Sequence, residues 1–289
     1  MGKNTVFKTR EGKNDVIKHY DLFLEKRALS YEKFYVDTVY GKTFIIASGE
    51  KGNPPLILLH GSGMNSVMWL RDIQEYSRNY RVYAVDILGE PGKSDENRPS
   101  LNGPYYAEWL KAVFDDLSLK KANIVGISLG AWLAIKFSVN YPEKVSKLVL
   151  LCPSGVGKQK KSFIFKAMFY ALLGEKGIDK LYYKVNGNQP IPEAMLKYQK
   201  LIGKNFNYRR ETIPIFSDNE LKLLTMPITL FVGAKDIMLY SDKTVRRLGG
   251  LLPHVETNII SEAGHSNIND VNKIIACFTI EKCKRSELA

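Results

Sequence analysis

The sequence predicts an α/β protein: a mostly parallel sheet covered by helices on both faces, with a helical cap inserted late in the chain. Three observations carry this. Short, wholly apolar runs recur along the chain and end in glycine-rich stretches. Amphipathic stretches of helical period lie between them. The alternation breaks once, between Pro153 and Pro227, over a length too great for a simple connection. Strands buried on both faces read as continuous apolar runs, and intervening helices supply the crossovers that parallel pairing needs.

The elements follow in order. From Glu11 to Arg27, apolar Val16, Ile17, Tyr20, Phe23 and Leu24 recur at helical spacing, which predicts a helix packed on the body. "KFYVDTVYGKTFIIASG" reads as a β-hairpin turning near Tyr40-Gly41. Apolar strands are then predicted at Leu56 to Leu59, Val82 to Val85, in "ANIVGISLG", in "VSKLVLLCPSG", at Ile228 to Val232 and in "ETNIISEAGH". Helical patterns separate them at Trp69 to Tyr80, Tyr105 to Leu117 and Ala131 to Asn140. Two more, "SFIFKAMFYALLG" and "IPEAMLKYQKLIG", fall in the insertion. The predicted organisation is an N-terminal helical extension over 1–30, a core over 31–152 and 226–289, and a cap over 153–225. In such sheets functional groups gather at the carboxyl ends of the strands, where the glycine-rich stretches lie.

Composition narrows the function classes. With 289 residues and 45% hydrophobic content the chain can bury a large core. The net charge is +12, but the lysines are spread out and no nucleic-acid motif accompanies them, so a solvated basic surface is expected and no nucleic-acid partner. Cys152, Cys277 and Cys283 make an odd count without metal-ligand spacing. The polar N-terminus lacks a signal-peptide core, and no apolar run could span a bilayer. The expectation is a cytoplasmic protein with free thiols and no stable membrane insertion. The basic, apolar piece "KQKKSFIFKAMFYALL" also suits a membrane surface.

The stretch "NIVGISLGAW" carries the chemistry. Gly126 and Gly130 flank Ser128 at positions minus two and plus two, with a strand predicted before and a helix after. A serine hydroxyl needs an adjacent base to act as a nucleophile, and it must project from its backbone. A very tight strand-to-helix turn achieves this, and small flanking residues let strand and helix pass closely. Phosphate binding by backbone N–H groups is the competing use of such a turn, but the spacing matches neither common phosphate-binding pattern.

With "HGSG", "VDILGEPGKSD", "GISLG" and "GAKD" followed by "GH", in that order, the chain resembles α/β-hydrolase-fold serine hydrolases, most of all small bacterial carboxylesterases with a helical cap. The resemblance runs from about Tyr31 to the C-terminus. It implies the chain order nucleophile, acid, histidine. Of four histidines, His265 after the last strand then becomes the base. His19 and His254 have no such place, and His60 becomes a structural residue of the oxyanion loop. Asp236, at a strand end, is the expected acid, with Asp242 its near rival. The previous strand, ending "LLCPSG", has no carboxylate to offer. Asp86 is expected to order its own loop. The oxyanion N–H donors are expected at Leu129 and in the HGSG loop at Ser62.

The implied activity is cleavage of small carboxylic esters through an acyl-enzyme, with no cofactor and no metal. The same residues serve C–C bond hydrolases, lactonases and perhydrolases, and some signal-binding proteins of this fold retain them. Phe163, Met168 and Phe169 are candidates for an apolar substrate pocket, a pattern that equally suits a cap core. The sequence carries no signal for an oligomeric state.

Overall fold

Alternate residues of the apolar runs enter different cores, as strands covered on both faces require. The computed structural model describes residues 5–26, 30–266, 274, 275 and 278. Its strands are β1 (Glu32–Thr38), β2 (Gly41–Ser48), β3 (Pro55–Leu59), β4 (Arg81–Val85), β5 (Ala122–Ile127), β6 (Val145–Leu151), β7 (Ile228–Gly233) and β8 (Val255–Ile260). They form one sheet in the order β1-β2-β4-β3-β5-β6-β7-β8. β2 runs antiparallel to β1 and β4. From β4 to β8 every pairing is parallel. Ile57 and Leu59 enter the core on one face, whereas Leu56 and Leu58 enter the other.

The helices are α1 (Arg10–Glu25), α2 (Leu70–Tyr76), α3 (Tyr105–Asp116), α4 (Leu129–Asn140), α5 (Lys161–Leu172), α6 (Gly174–Val185), α7 (Glu193–Asn205), α8 (Asp218–Leu221) and α9 (Ser241–Leu251). Trp109, Phe114, Trp132 and Phe137 of α3 and α4 fill one face, and Tyr20, Leu24 and Tyr76 of α1 and α2 the other. The helix expected at Trp69 to Tyr80 is shorter, because Asn65 caps a 3-10 turn over Ser66–Trp69 first. Three helices, α6, the one-turn α8 and α9, lie where none was expected. α6 and α9 are largely polar, and α9 buries only Thr244 and Leu248.

Four helices, α5 to α8, stand between β6 and β7. Phe216, Leu221 and Leu224, within the span expected for the cap, instead join the core beside β6 and β7. α5 buries none of its residues, so it does not form a cap core: Phe163 is half-buried, while Met168 and Phe169 are exposed. α1 is no loose extension. The Lys8 N–H donates to the Asn205 carbonyl at 2.8 Å and the Asn207 N–H to that of Val6 at 2.8 Å, seating the N-terminal segment against the end of α7. Among the described residues no helix is long and apolar enough to cross a membrane. Cys277 and Cys283 lie outside the described residues.

Candidate active site

Ser128 occupies the single residue between β5 and α4, with φ 54° and ψ −109°. A side chain rarely tolerates this left-handed region. The neighbours explain how it is held. A Cβ on Gly130 would lie 2.2 Å from the Leu59 carbonyl oxygen, and one on Gly126 would lie 2.5 Å from that of Gly130. Only glycine lets α4 leave the sheet at this angle. The Ser128 N–H donates to the Leu151 carbonyl at 2.9 Å, fixing the turn to β6.

Asp236 follows β7 through the short Ala234-Lys235 link. Its Oδ1 accepts the N–H groups of Met238 (2.6 Å) and Leu239 (3.0 Å). Its Oδ2 lies 2.8 Å from His265 Nδ1. Burial by itself would raise this carboxyl, but the charge and hydrogen bond of His265, with the two N–H groups, hold it below the ordinary carboxylate range. An ionised Asp236 can only accept, so Nδ1 carries the proton and Nε2 presents its lone pair. Nε2 lies 2.9 Å from Ser128 Oγ, which therefore donates to it. Asp236 and His265 are both buried. The His265 N–H donates to the Val185 carbonyl at 2.7 Å, so the end of α6 braces this loop.

The rival carboxylate is elsewhere. Asp242 is exposed in the first turn of α9 and pairs with Arg246 at 2.5 Å. His19 and His254 are exposed. His60 is buried: its Nε2 accepts the Ile87 N–H at 2.9 Å, so Nδ1 donates to the Gly61 carbonyl at 2.9 Å. Burial lowers its pKa and keeps it neutral. Asp86 ties three segments together, accepting Ser66 N–H (2.8 Å), Lys93 N–H (2.8 Å) and Tyr20 O–H (3.1 Å).

The HGSG loop lies beside Ser128; a Cβ on Gly61 would sit 3.7 Å from that of Ser128. Neither the Ser62 nor the Leu129 N–H has an acceptor among the described residues. Two neighbours escaped the sequence reading. Ser154 Oγ lies 3.5 Å from Ser128 Oγ. Glu90 is wholly buried and accepts the Gly63 N–H at 2.7 Å. An acid inside the glycine-rich "GEPGKSD" was the available signal for it.

Donor atoms of Cys152, Asp236 and His265 lie within 4.8 Å of one another, the donor types of a metal site. Asp236 and His265 are already bonded to each other, and burial, then the Asp236 charge, push the Cys152 thiol well above its usual pKa. A neutral thiol is a poor metal ligand, so the set suits a hydrogen-bonded cluster better.

The profile of the alpha/beta hydrolase fold matches residues 54–188. Carboxylesterase YbfK of Bacillus subtilis is 33% identical over 256 residues, covering 85% of this chain and 86% of the relative. The chain belongs to the α/β-hydrolase family. The hydrolase also superposes on the crystal structure of carboxylesterase CesB (YbfK) of B. subtilis with a TM-score of 0.82 at 29% identity, over 93% of this chain and 98% of that one. The B. subtilis naproxen esterase structure gives 0.83 at 26% identity, over 95% and 99%.

Proposed function

We propose that this hydrolase cleaves carboxylic esters of small apolar substrates by acyl transfer, without cofactor or metal. The observation that carries the reading is the unbroken line from Ser128 Oγ to His265 Nε2 (2.9 Å) and from Nδ1 to Asp236 (2.8 Å). His265 takes the Ser128 proton as Oγ attacks the ester carbonyl, and Asp236 stabilises the imidazolium that forms. The N–H groups of Leu129 and Ser62 receive the tetrahedral oxyanion. His265 then protonates the leaving alcohol, and water, deprotonated by the same imidazole, cleaves the acyl-enzyme. The helices α5 to α7 act as the cap. Phe163, Met168 and Phe169 of α5 are the candidates for its apolar lining, Phe163 half-buried and the other two exposed. The similarity to the two B. subtilis esterases supports the same chemistry.

A panel of p-nitrophenyl esters of rising chain length tests the reading. Many turnovers per molecule are expected. Ser128→Ala is expected to lower the rate at least about a thousandfold, because such residues act as a unit. A fluorophosphonate probe is expected to label the native protein and not this variant. Labelling that persists in Ser128→Ala, or hydrolysis at a near-native rate, overturns the assignment.

A further inference from the structure

We infer that Glu90 is a positioning residue of the oxyanion hole, holding the HGSG loop so that the Ser62 N–H stays free for the reacting oxygen. The inference rests on the esterase reading above. Glu90 is fully buried, which is costly for a carboxylate unless its oxygens are used. One oxygen, Oε2, accepts the Gly63 N–H at 2.7 Å and the Ser62 hydroxyl at 3.3 Å. Both groups follow directly on the Ser62 N–H in the chain, and that N–H has no acceptor among the described residues. The carboxylate thus occupies the next two donors after the proposed oxyanion donor.

The opposite side of Glu90 belongs to the segment that returns from α7 to the core. Oε1 faces Arg209 Nε at 3.8 Å. The Arg209 guanidinium also donates to the Pro99 carbonyl at 3.1 Å and to the Tyr106 hydroxyl. Tyr208 packs its ring where a Cβ on Gly63 would be, 2.5 Å from it, and Gly63 has φ +69°. The loop is therefore held between Glu90 and Tyr208. Arg98 adds a second guanidinium charge to that of Arg209. Tyr106 and Tyr208 complete the ionisable groups around the carboxyl. A side chain that only filled space would not place one oxygen on two successive loop residues. Oxyanion stabilisation depends on donors held before the charge develops, so a loosened loop lowers kcat rather than substrate binding.

The test compares Glu90→Leu, Glu90→Gln and Glu90→Asp in the full chain, with folding followed by circular dichroism. Leucine removes the acceptor, and kcat for a p-nitrophenyl ester is expected to fall about 10- to 100-fold with KM within about threefold. A trifluoromethyl ketone, which forms a tetrahedral oxyanion on the serine, is expected to bind more weakly by a similar factor. Glutamine retains an acceptor at the same reach and is expected to restore kcat to within about fivefold of native. Aspartate keeps the charge but withdraws the acceptor by one methylene, so it is expected to fall well below glutamine; this comparison stands if the leucine variant does not fold. Native kcat in folded Glu90→Leu, or glutamine no better than aspartate, overturns the inference. An inactive native protein that the fluorophosphonate does not label removes the esterase reading itself, and this inference with it. A labelled, active native protein beside an undisturbed Glu90→Leu removes the positioning role alone.

Discussion

At the scale of single residues, the decisive contrast is between two aspartates only a few positions apart. Asp236 accepts inside the protein, from two backbone N–H groups and one imidazole. Asp242 accepts from an exposed arginine. Asp236→Asn would place an amide opposite His265 and favour the tautomer whose Nε2 carries the proton, which cannot accept from Ser128. A fall in kcat of roughly 10³- to 10⁴-fold is expected, measured on a p-nitrophenyl ester. Asp242→Asn is expected to leave kcat within about twofold, since exposed pairs contribute little. A damaging Asp242→Asn beside a benign Asp236→Asn would move the acid to α9. The sequence could offer both carboxylates because both follow β7 closely. What separates them is the backbone turn after β7, which puts the Met238 and Leu239 N–H groups on the Asp236 carboxylate and starts α9 at Ser241.

Among elements, the strand-to-helix turn at Ser128 is held by backbone contacts alone. The atoms that a Gly130 methyl would meet are the Leu59 and His60 carbonyl oxygens, at 2.2 and 2.6 Å, and neither can swing away as a side chain could. Gly130→Ala must push α4 off the end of β3. It is expected to cost about 2–4 kcal/mol in urea unfolding and to reduce esterase activity with it. A Tm within a degree of native would contradict the packing. A second comparison concerns α1. Tyr20→Phe removes one of three donors to Asp86 and is expected to cost about 1 kcal/mol. Asp86→Ala strands the Ser66 and Lys93 N–H groups and the Tyr20 hydroxyl together, so it is expected to cost at least about 2 kcal/mol more. Equal costs would mean that Asp86 does not organise these segments. The helical period of α1 was legible, as Val16, Tyr20 and Leu24 are indeed buried. Its docking on α7 was not, because it joins residues far apart in the chain, Phe23 to Tyr198 by their rings and, just before α1, Val6 and Lys8 to Asn207 and Asn205 by their backbones.

For the whole molecule, the parallel sheet could be read because strands such as Leu56 to Leu59, buried on both faces, must be apolar throughout. The bracing of the site could not, since it depends on groups brought together from distant segments, such as Glu90 and Arg209. These buried groups also govern how stability responds to pH. Asp236 is held below its ordinary range, so its contribution is present above that range and lost as pH falls through its depressed value. Glu90 acts in the opposite sense. Burial outweighs the Gly63 N–H and the two arginines and raises its carboxyl to about 6 from 4.5. The folded protein therefore holds that proton more tightly than the unfolded chain does. The Glu90 contribution to stability is greatest below pH 4.5 and declines as pH rises through about 6. The decline amounts to about 2 kcal/mol. Glu90→Gln cannot titrate, and its amide oxygen can still accept from Gly63. Relative to native, the variant is expected to gain stability between about pH 4.5 and 7, by an amount approaching that decline. Urea unfolding of both proteins across that range measures the difference directly. Parallel stability curves would show that the Glu90 proton is held no more tightly in the folded protein than in the unfolded chain.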